Sequence, residues 1–185
     1  MTAANMITVL RFVLVPVVVY CLLTEQWRLA FAGFLVAGIS DGVDGFVAHH
    51  FNQRTKLGGY LDPMADKLLL VSVFVVLGFL GELPLWLVIL AVSRDALIVC
   101  AVLLSTVMSN PVEMKPLFIS KANTAVQIVL AAVVLAELAF GAEFAPIRPA
   151  LIMLSALLTV ASAGAYLVAW SRHMNKYGEG GPHAG

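Results

Sequence analysis

Apolar residues in this chain come in long unbroken runs, not at alternating positions. The runs are Ile7–Leu23, Leu29–Val47, Tyr60–Leu80, Leu83–Val107, Leu117–Phe140 and Ile147–Trp170. Each approaches the ~20 residues that a helix needs to cross the hydrocarbon core of a bilayer. None has the roughly ten-residue alternation of a barrel strand, so helices are the expected way to satisfy the backbone. The connections are short, which makes neighbouring helices antiparallel. The expected fold is therefore an all-α integral membrane protein, a bundle of six transmembrane helices forming one domain over residues 1–175, without internal repeats. Residues 176–185 read Lys-Tyr-Gly-Glu-Gly-Gly-Pro-His-Ala-Gly and are expected to form a disordered tail. No basic region precedes the first run, and Arg11 interrupts it, so that run is expected to stay as a helix and not to be cleaved as a signal.

Composition points the same way. Of 185 residues, 61% are hydrophobic, and the mean hydropathy is +0.96; a soluble domain is nearer about 45–50% apolar. The formal net charge is zero, so bulk charge argues for no nucleic-acid partner. Cys21 and Cys100 fall in separate apolar runs, without metal or redox spacing, and read as small core hydrophobes. Placing both termini in the cytoplasm puts Arg54, Lys56, Lys115, Arg172 and Lys176 inside. It leaves Arg28 and Arg148 outside, with Glu25, Glu82 and Glu143. The bias of basic residues toward cytoplasmic loops favours this orientation.

Against this background the stretch Ser40–Lys67 is anomalous. It carries Asp41, Asp44, Asp62 and Asp66, flanked by apolar runs on both sides. On helices, the pair three apart and the pair four apart would each share one face. A polar break of about ten residues between them lets one helix turn back beside the other, so that the carboxylates could converge. Each Asp inside a membrane helix costs roughly 2.5–3.5 kcal/mol, and like charges close together oppose ionisation. Two divalent cations would cancel the charge. Oxygen-only ligands favour Mg²⁺, Mn²⁺ or Ca²⁺ over Zn²⁺, and a two-metal carboxylate site suits phosphoryl displacement.

The same residues carry a family resemblance. Asp41-x2-Asp44-Gly45-x2-Ala48-His49-x8-Gly58-x3-Asp62-x3-Asp66 matches in every spacing the signature of the CDP-alcohol phosphotransferases, with His49 where the family has Arg. Asn5-x2-Thr8-x2-Arg11 resembles the family's opening Pro-Asn-x2-Thr-x2-Arg, with Ala4 in place of Pro. The resemblance implies displacement of CMP from a CDP-linked donor by an acceptor hydroxyl. It implies that Asp41, Asp44, Asp62 and Asp66 hold two cations, Mg²⁺ or Mn²⁺, and that Asp66 is also the general base. Asn5, Thr8, Gly45, Ala48, His49 and Gly58 would line the nucleotide site. A homodimer is implied as well, in a bacterial inner membrane or its equivalent.

Two further sites bear on the acceptor. Ser93-Arg94-Asp95 places charges inside an apolar run, which marks a functional site by default. Arg94 either binds an anionic acceptor headgroup or forms a structural ion pair with Asp95 or an Asp of the cluster. Lys121, Thr124 and Gln127 recur at helical spacing, and that stripe is expected to face the bundle interior. Lys121 either binds phosphate or balances the Asp cluster. Lys67 either pairs with a carboxylate or reaches the interface. Asn52-Gln53, Leu61–Lys67, Ser93-Arg94-Asp95 and Ile119–Gln127 look closest to the cardiolipin-forming sub-group, which takes CDP-diacylglycerol as donor and phosphatidylglycerol as acceptor. The alternative sub-group takes glycerol 3-phosphate. It usually has a second basic residue later in the fourth helix, which is missing near Ala101.

Overall fold

The computed structural model describes residues 3–51, 58–107, 118–141 and 146–178, and the side chains of residues 12–40, 67–100, 118–141 and 146–168. Among the described residues there are six helices and no strand: α1 Ala3–Leu23, α2 Trp27–Phe51, α3 Gly58–Phe79, α4 Leu85–Val107, α5 Phe118–Phe140 and α6 Ile147–Gly178. Each apolar run of the sequence has become one helix. The bounds differ most where polar residues continue a helix. α2 runs on to Phe51, and α6 runs past Trp170 to Gly178. Hydropathy does not register such turns, but Ser171–Tyr177 holds no Gly or Pro to stop the helix. Residues 179–185, the rest of the expected tail, lie outside the described residues.

Two tight turns and the end of α5 gather at one end of the bundle. Between α1 and α2, Gln26 N donates to Cys21 O at 2.8 Å around Glu25, which adopts the left-handed conformation with φ 58°. Between α3 and α4, Glu82 N donates to Leu77 O at 2.9 Å around Gly81 at φ +80°, a value that glycine adopts without steric strain. α5 ends on Gly141, whose N donates to Glu137 O at 2.8 Å. Arg148 on α6 clamps this end. It reaches Glu137 Oε2 at 2.9 Å, Glu82 Oε2 at 3.0 Å and the Glu82 carbonyl. Arg28 Nε donates to Ala139 O at 3.2 Å, and Phe31 meets Phe140 edge-on with centroids 5.6 Å apart. Glu137 thus has a structural role.

α5 packs on α6, α2 and α3, while α1 packs on α2 and α3, and α4 on α6 and α3. Leu22, Leu77, Leu83, Leu87, Leu130 and Leu135 are fully buried where these helices meet. The outer surface carries Tyr20, Ile39, Val75, Ile89, Leu157 and Val160, all exposed, as suits contact with lipid instead of water. Two described stretches, Phe118–Phe140 and Ile147–Val168, are long and apolar enough to cross a membrane. Shorter apolar stretches run Phe12–Leu23, Trp27–Ser40 and Lys67–Phe79.

Candidate active site and the buried arginine beside it

The aspartates of the motif all stand on helical backbone. Asp41 and Asp44, with Gly45, Ala48 and His49, belong to α2; Gly58, Asp62 and Asp66 belong to α3; Asn5 and Thr8 belong to α1. Helical backbone at those spacings places each Asp pair on one face of its own helix. α1 packs against both α2 and α3, so the three helices that carry these residues are neighbours. The side chains of all ten, and with them the expected convergence of the carboxylates, lie outside the described residues. Among the described residues no group of three or more His, Cys, Asp or Glu could hold a metal ion; the Asp tetrad is not among them. As a donor set, the tetrad is all oxygen and anionic, which fits hard divalent cations.

Immediately beyond Asp66 the side chains are described, and they form a charged knot. Lys67 Nζ lies 2.7 Å from Asp95 Oδ1, and Arg94 Nη1 lies 2.6 Å from the same oxygen. The Lys67 alternatives thus resolve in favour of a carboxylate partner on another helix. Arg94 is only 2% exposed. Its Nε donates to Ser162 Oγ at 3.1 Å, and its Nη2 donates to Ser162 Oγ at 2.6 Å and to Ser120 Oγ. The Tyr166 ring centroid lies 5.9 Å from its Cζ, within cation–π range. One guanidinium therefore links α4 to α5 and α6, and Asp95 extends the link to α3. The ion pair with Asp95 is one of the two arrangements that the sequence left open for Arg94. Four N–H···O contacts engage Nε, Nη2 and one N–H of Nη1; among the described residues, the second Nη1 N–H has no acceptor.

The polar stripe of α5 is rotated from its expected position. Asn123 and Gln127 are buried, Thr124 is half-buried, and Lys121 is exposed. The inward line is Ser120–Asn123–Gln127–Leu130, so the expectation that Lys121 faces the bundle interior is corrected. The reason is α6. Its Ser155, Thr159 and Ser162 are fully buried, and Thr159 supplies a partner to Asn123 on that line. Thr159 Oγ1 sits 3.0 Å from Asn123 Oδ1 and 2.7 Å from Ser155 O. Asn123 Nδ2 and Ser155 Oγ have no partner among the described residues. Sequence reasoning passed over α6, although Ser155, Thr159, Ser162 and Tyr166 recur at steps of four, three and four, a helical period that was there to be read.

Residues 1–164 match the family model described as CDP-alcohol phosphatidyltransferase. A cardiolipin synthase (CMP-forming) of Homo sapiens is 35% identical over 181 residues, covering 89% of this chain and 60% of that protein. A putative cardiolipin synthase of Mycobacterium tuberculosis is 40% identical over 101 residues, covering 53% of this chain and 47% of that protein. A probable phosphatidylglycerophosphate synthase of the same species is 37% identical over 98 residues, covering 50% of this chain and 47% of that protein. The chain thus spans at most about three fifths of the length of these relatives.

Proposed function

The chain belongs to the CDP-alcohol phosphatidyltransferase family, and from that premise we propose that it makes cardiolipin, transferring a phosphatidyl group from CDP-diacylglycerol to phosphatidylglycerol. The primary hydroxyl of the acceptor's glycerol attacks the phosphatidyl phosphorus, the bond from that phosphorus to the CMP oxygen breaks, and CMP leaves. The acceptor's hydroxyl proton passes to the Asp66 carboxylate, which must lie within hydrogen-bond reach of it. Asp41, Asp44 and Asp62, with Asp66 touching one ion, would hold two divalent cations, Mg²⁺ or Mn²⁺. When bound, these ions would offset charge on the diphosphate and the departing CMP. Asn5, Thr8, Gly45, Ala48, His49 and Gly58 bind the cytidine end. Arg94 and Lys121 serve the acceptor, Lys121 from the exposed flank of α5. Six membrane crossings, cytoplasmic termini and a homodimer complete the proposal.

The observation that carries the choice of acceptor is the engagement of Arg94. A small dianionic acceptor such as glycerol 3-phosphate needs several free cationic donors, whereas Arg94 spends most of its donors on Asp95, Ser120 and Ser162. A lipid phosphodiester carries one charge and asks for less. The wider coverage of the human cardiolipin synthase than of the phosphatidylglycerophosphate synthase agrees with this choice. The test supplies purified protein with CDP-diacylglycerol and Mg²⁺, and with each acceptor in a separate tube. Mass spectrometry should find cardiolipin only with phosphatidylglycerol, and EDTA should abolish it reversibly. Phosphatidylglycerol phosphate made from glycerol 3-phosphate, with no cardiolipin in the parallel tube, would overturn the reading.

A further inference from the structure

α4 and α6 pack together but leave a groove of about 640 Å³ between them, within the roughly 300–1,000 Å³ typical of ligand sites. Its walls are apolar: Trp86, Leu90 and Leu97 from α4, and Val160 and Leu167 from α6. Trp86 and Leu97 are eleven residues apart, so at 1.5 Å per residue the groove runs about 16 Å along α4. Arg94 lines it near the Leu97 end. Ile89, Leu97, Val160 and Leu167 are exposed along it, so the groove opens sideways onto the bundle's apolar surface. Small residues keep it open: a Cβ built on Gly164, which lines it, would meet nothing within 4 Å.

We propose that this groove seats one acyl chain of the lipid acceptor, with the phosphodiester at the Arg94 end. This rests on the reading of the acceptor as phosphatidylglycerol. An elongated apolar groove with a cation near one end is complementary to an anionic glycerophospholipid and to neither a nucleotide nor a sugar phosphate. The second Nη1 N–H of Arg94 has no acceptor among the described residues, and together Lys67, Arg94 and Asp95 carry one net positive charge. The groove is built by α4 and α6, whereas the motif of the donor site stands on α1, α2 and α3. That separation assigns the groove to the acceptor's chain and not to the donor's. The link from Arg94 through Asp95 to Lys67, the neighbour of Asp66, then connects the seated acceptor to the base.

The experiment uses the full chain in vesicles with three photoactivatable lipids, each bearing a diazirine in one acyl chain: phosphatidylglycerol, CDP-diacylglycerol and phosphatidylcholine. Peptide mass spectrometry locates the labels. The phosphatidylglycerol probe should label the Trp86–Leu97 and Val160–Leu167 peptides at least about fivefold more than phosphatidylcholine does, and Gly164→Leu should reduce that labelling by a similar factor. Gly164→Leu should fold normally, because its Cβ enters open space. It should raise KM for long-chain phosphatidylglycerol about tenfold, with a much smaller change for a six-carbon-chain acceptor and for the donor. Equal labelling by phosphatidylcholine would mark ordinary surrounding lipid and overturn the proposal. So would preferential labelling by CDP-diacylglycerol, or a groove that stays unlabelled because a second copy covers it. Labelling in a protein that makes no cardiolipin would support a phosphatidylglycerol site and remove the acceptor reading instead; cardiolipin synthesis with an unlabelled groove would do the reverse.

Discussion

Asp95 Oδ1 receives both Lys67 Nζ and Arg94 Nη1, so one carboxylate oxygen holds α3 to α4 and neutralises a guanidinium that water barely reaches. Removing it leaves Arg94 buried without a counter-charge. Asp95→Ala is therefore expected to destabilise the fold by about 3–5 kcal/mol, seen as a lower melting temperature of the detergent-solubilised protein. Replacing the pair together, as Arg94→Met with Asp95→Leu, should recover much of that loss because no charge stays buried unpaired. A melting temperature for Asp95→Ala equal to the wild type's would show that the knot carries little stability. One residue earlier than Lys67, Asp66 tests the chemistry. Asp66→Asn removes the proposed base but keeps most of the proposed metal ligands, so turnover should vanish while CDP-diacylglycerol binding, measured by titration calorimetry, persists. Near-normal CMP release from that variant would assign the base elsewhere.

Between helices, shape decides more than polarity, because lipid tails compete on equal terms with apolar side chains and leave close packing as a main source of attraction. Gly33 on α2 shows how close: a Cβ there would lie 2.8 Å from Val18 Cγ2 on α1, and Val18 is 1% exposed. Val18 is β-branched and has little freedom to step aside. Gly33→Leu should cost about 1–3 kcal/mol and lower the melting temperature. Gly38→Leu, on the same helix but with nothing within 4 Å of its Cβ, should leave it unchanged. If both variants melt alike, the α1–α2 contact is not what the close approach implies. Between α5 and α6 the apolar packing of Leu130, Ala131, Val134 and Leu135 is joined by a polar contact, Thr159 to Asn123.

For the molecule as a whole, the α1–α2 and α3–α4 turns and the Arg148 clamp share one end, and the helix ends at Phe51, Gly58, Val107 and Phe118 belong to the other. If both termini are cytoplasmic, the clamp end faces outward. The check starts from a chain with Cys21→Ala and Cys100→Ala. A single cysteine is placed either at the exposed Gln26 in the α1–α2 turn or at Gln53 between α2 and α3. A membrane-impermeant maleimide should label Gln26→Cys in intact cells and Gln53→Cys only after permeabilisation. The opposite pattern would invert the proposed orientation.

The number and order of the helices were legible because burial in lipid demands long apolar runs, and a run is visible without knowing its neighbours. The Asp motif stands out for a related reason: charges that have no place in such a run are conspicuous, and the family their spacing resembles is the one that residues 1–164 match. Arg94, a charge inside an apolar run, also stood out, but its partners did not. Nothing along the chain pairs Ser120, Ser162 or Tyr166 with Arg94: the two serines are 26 and 68 residues away, Tyr166 is farther still, and all three meet it only because α4, α5 and α6 pack together. The rotation of α5 was illegible too. Lys121 and Asn123 are both polar, and either can begin a helical stripe, so hydropathy cannot tell which faces inward. Packing chose Asn123, because α6 presents Thr159 there and because an exposed Lys121 avoids the cost of a buried ammonium. The Glu82–Arg148–Glu137 clamp and the groove beside Arg94 arise in the same way. Each depends on distances between helices, which follow from how side chains of different size fill the space between them and not from the pattern along any one of them.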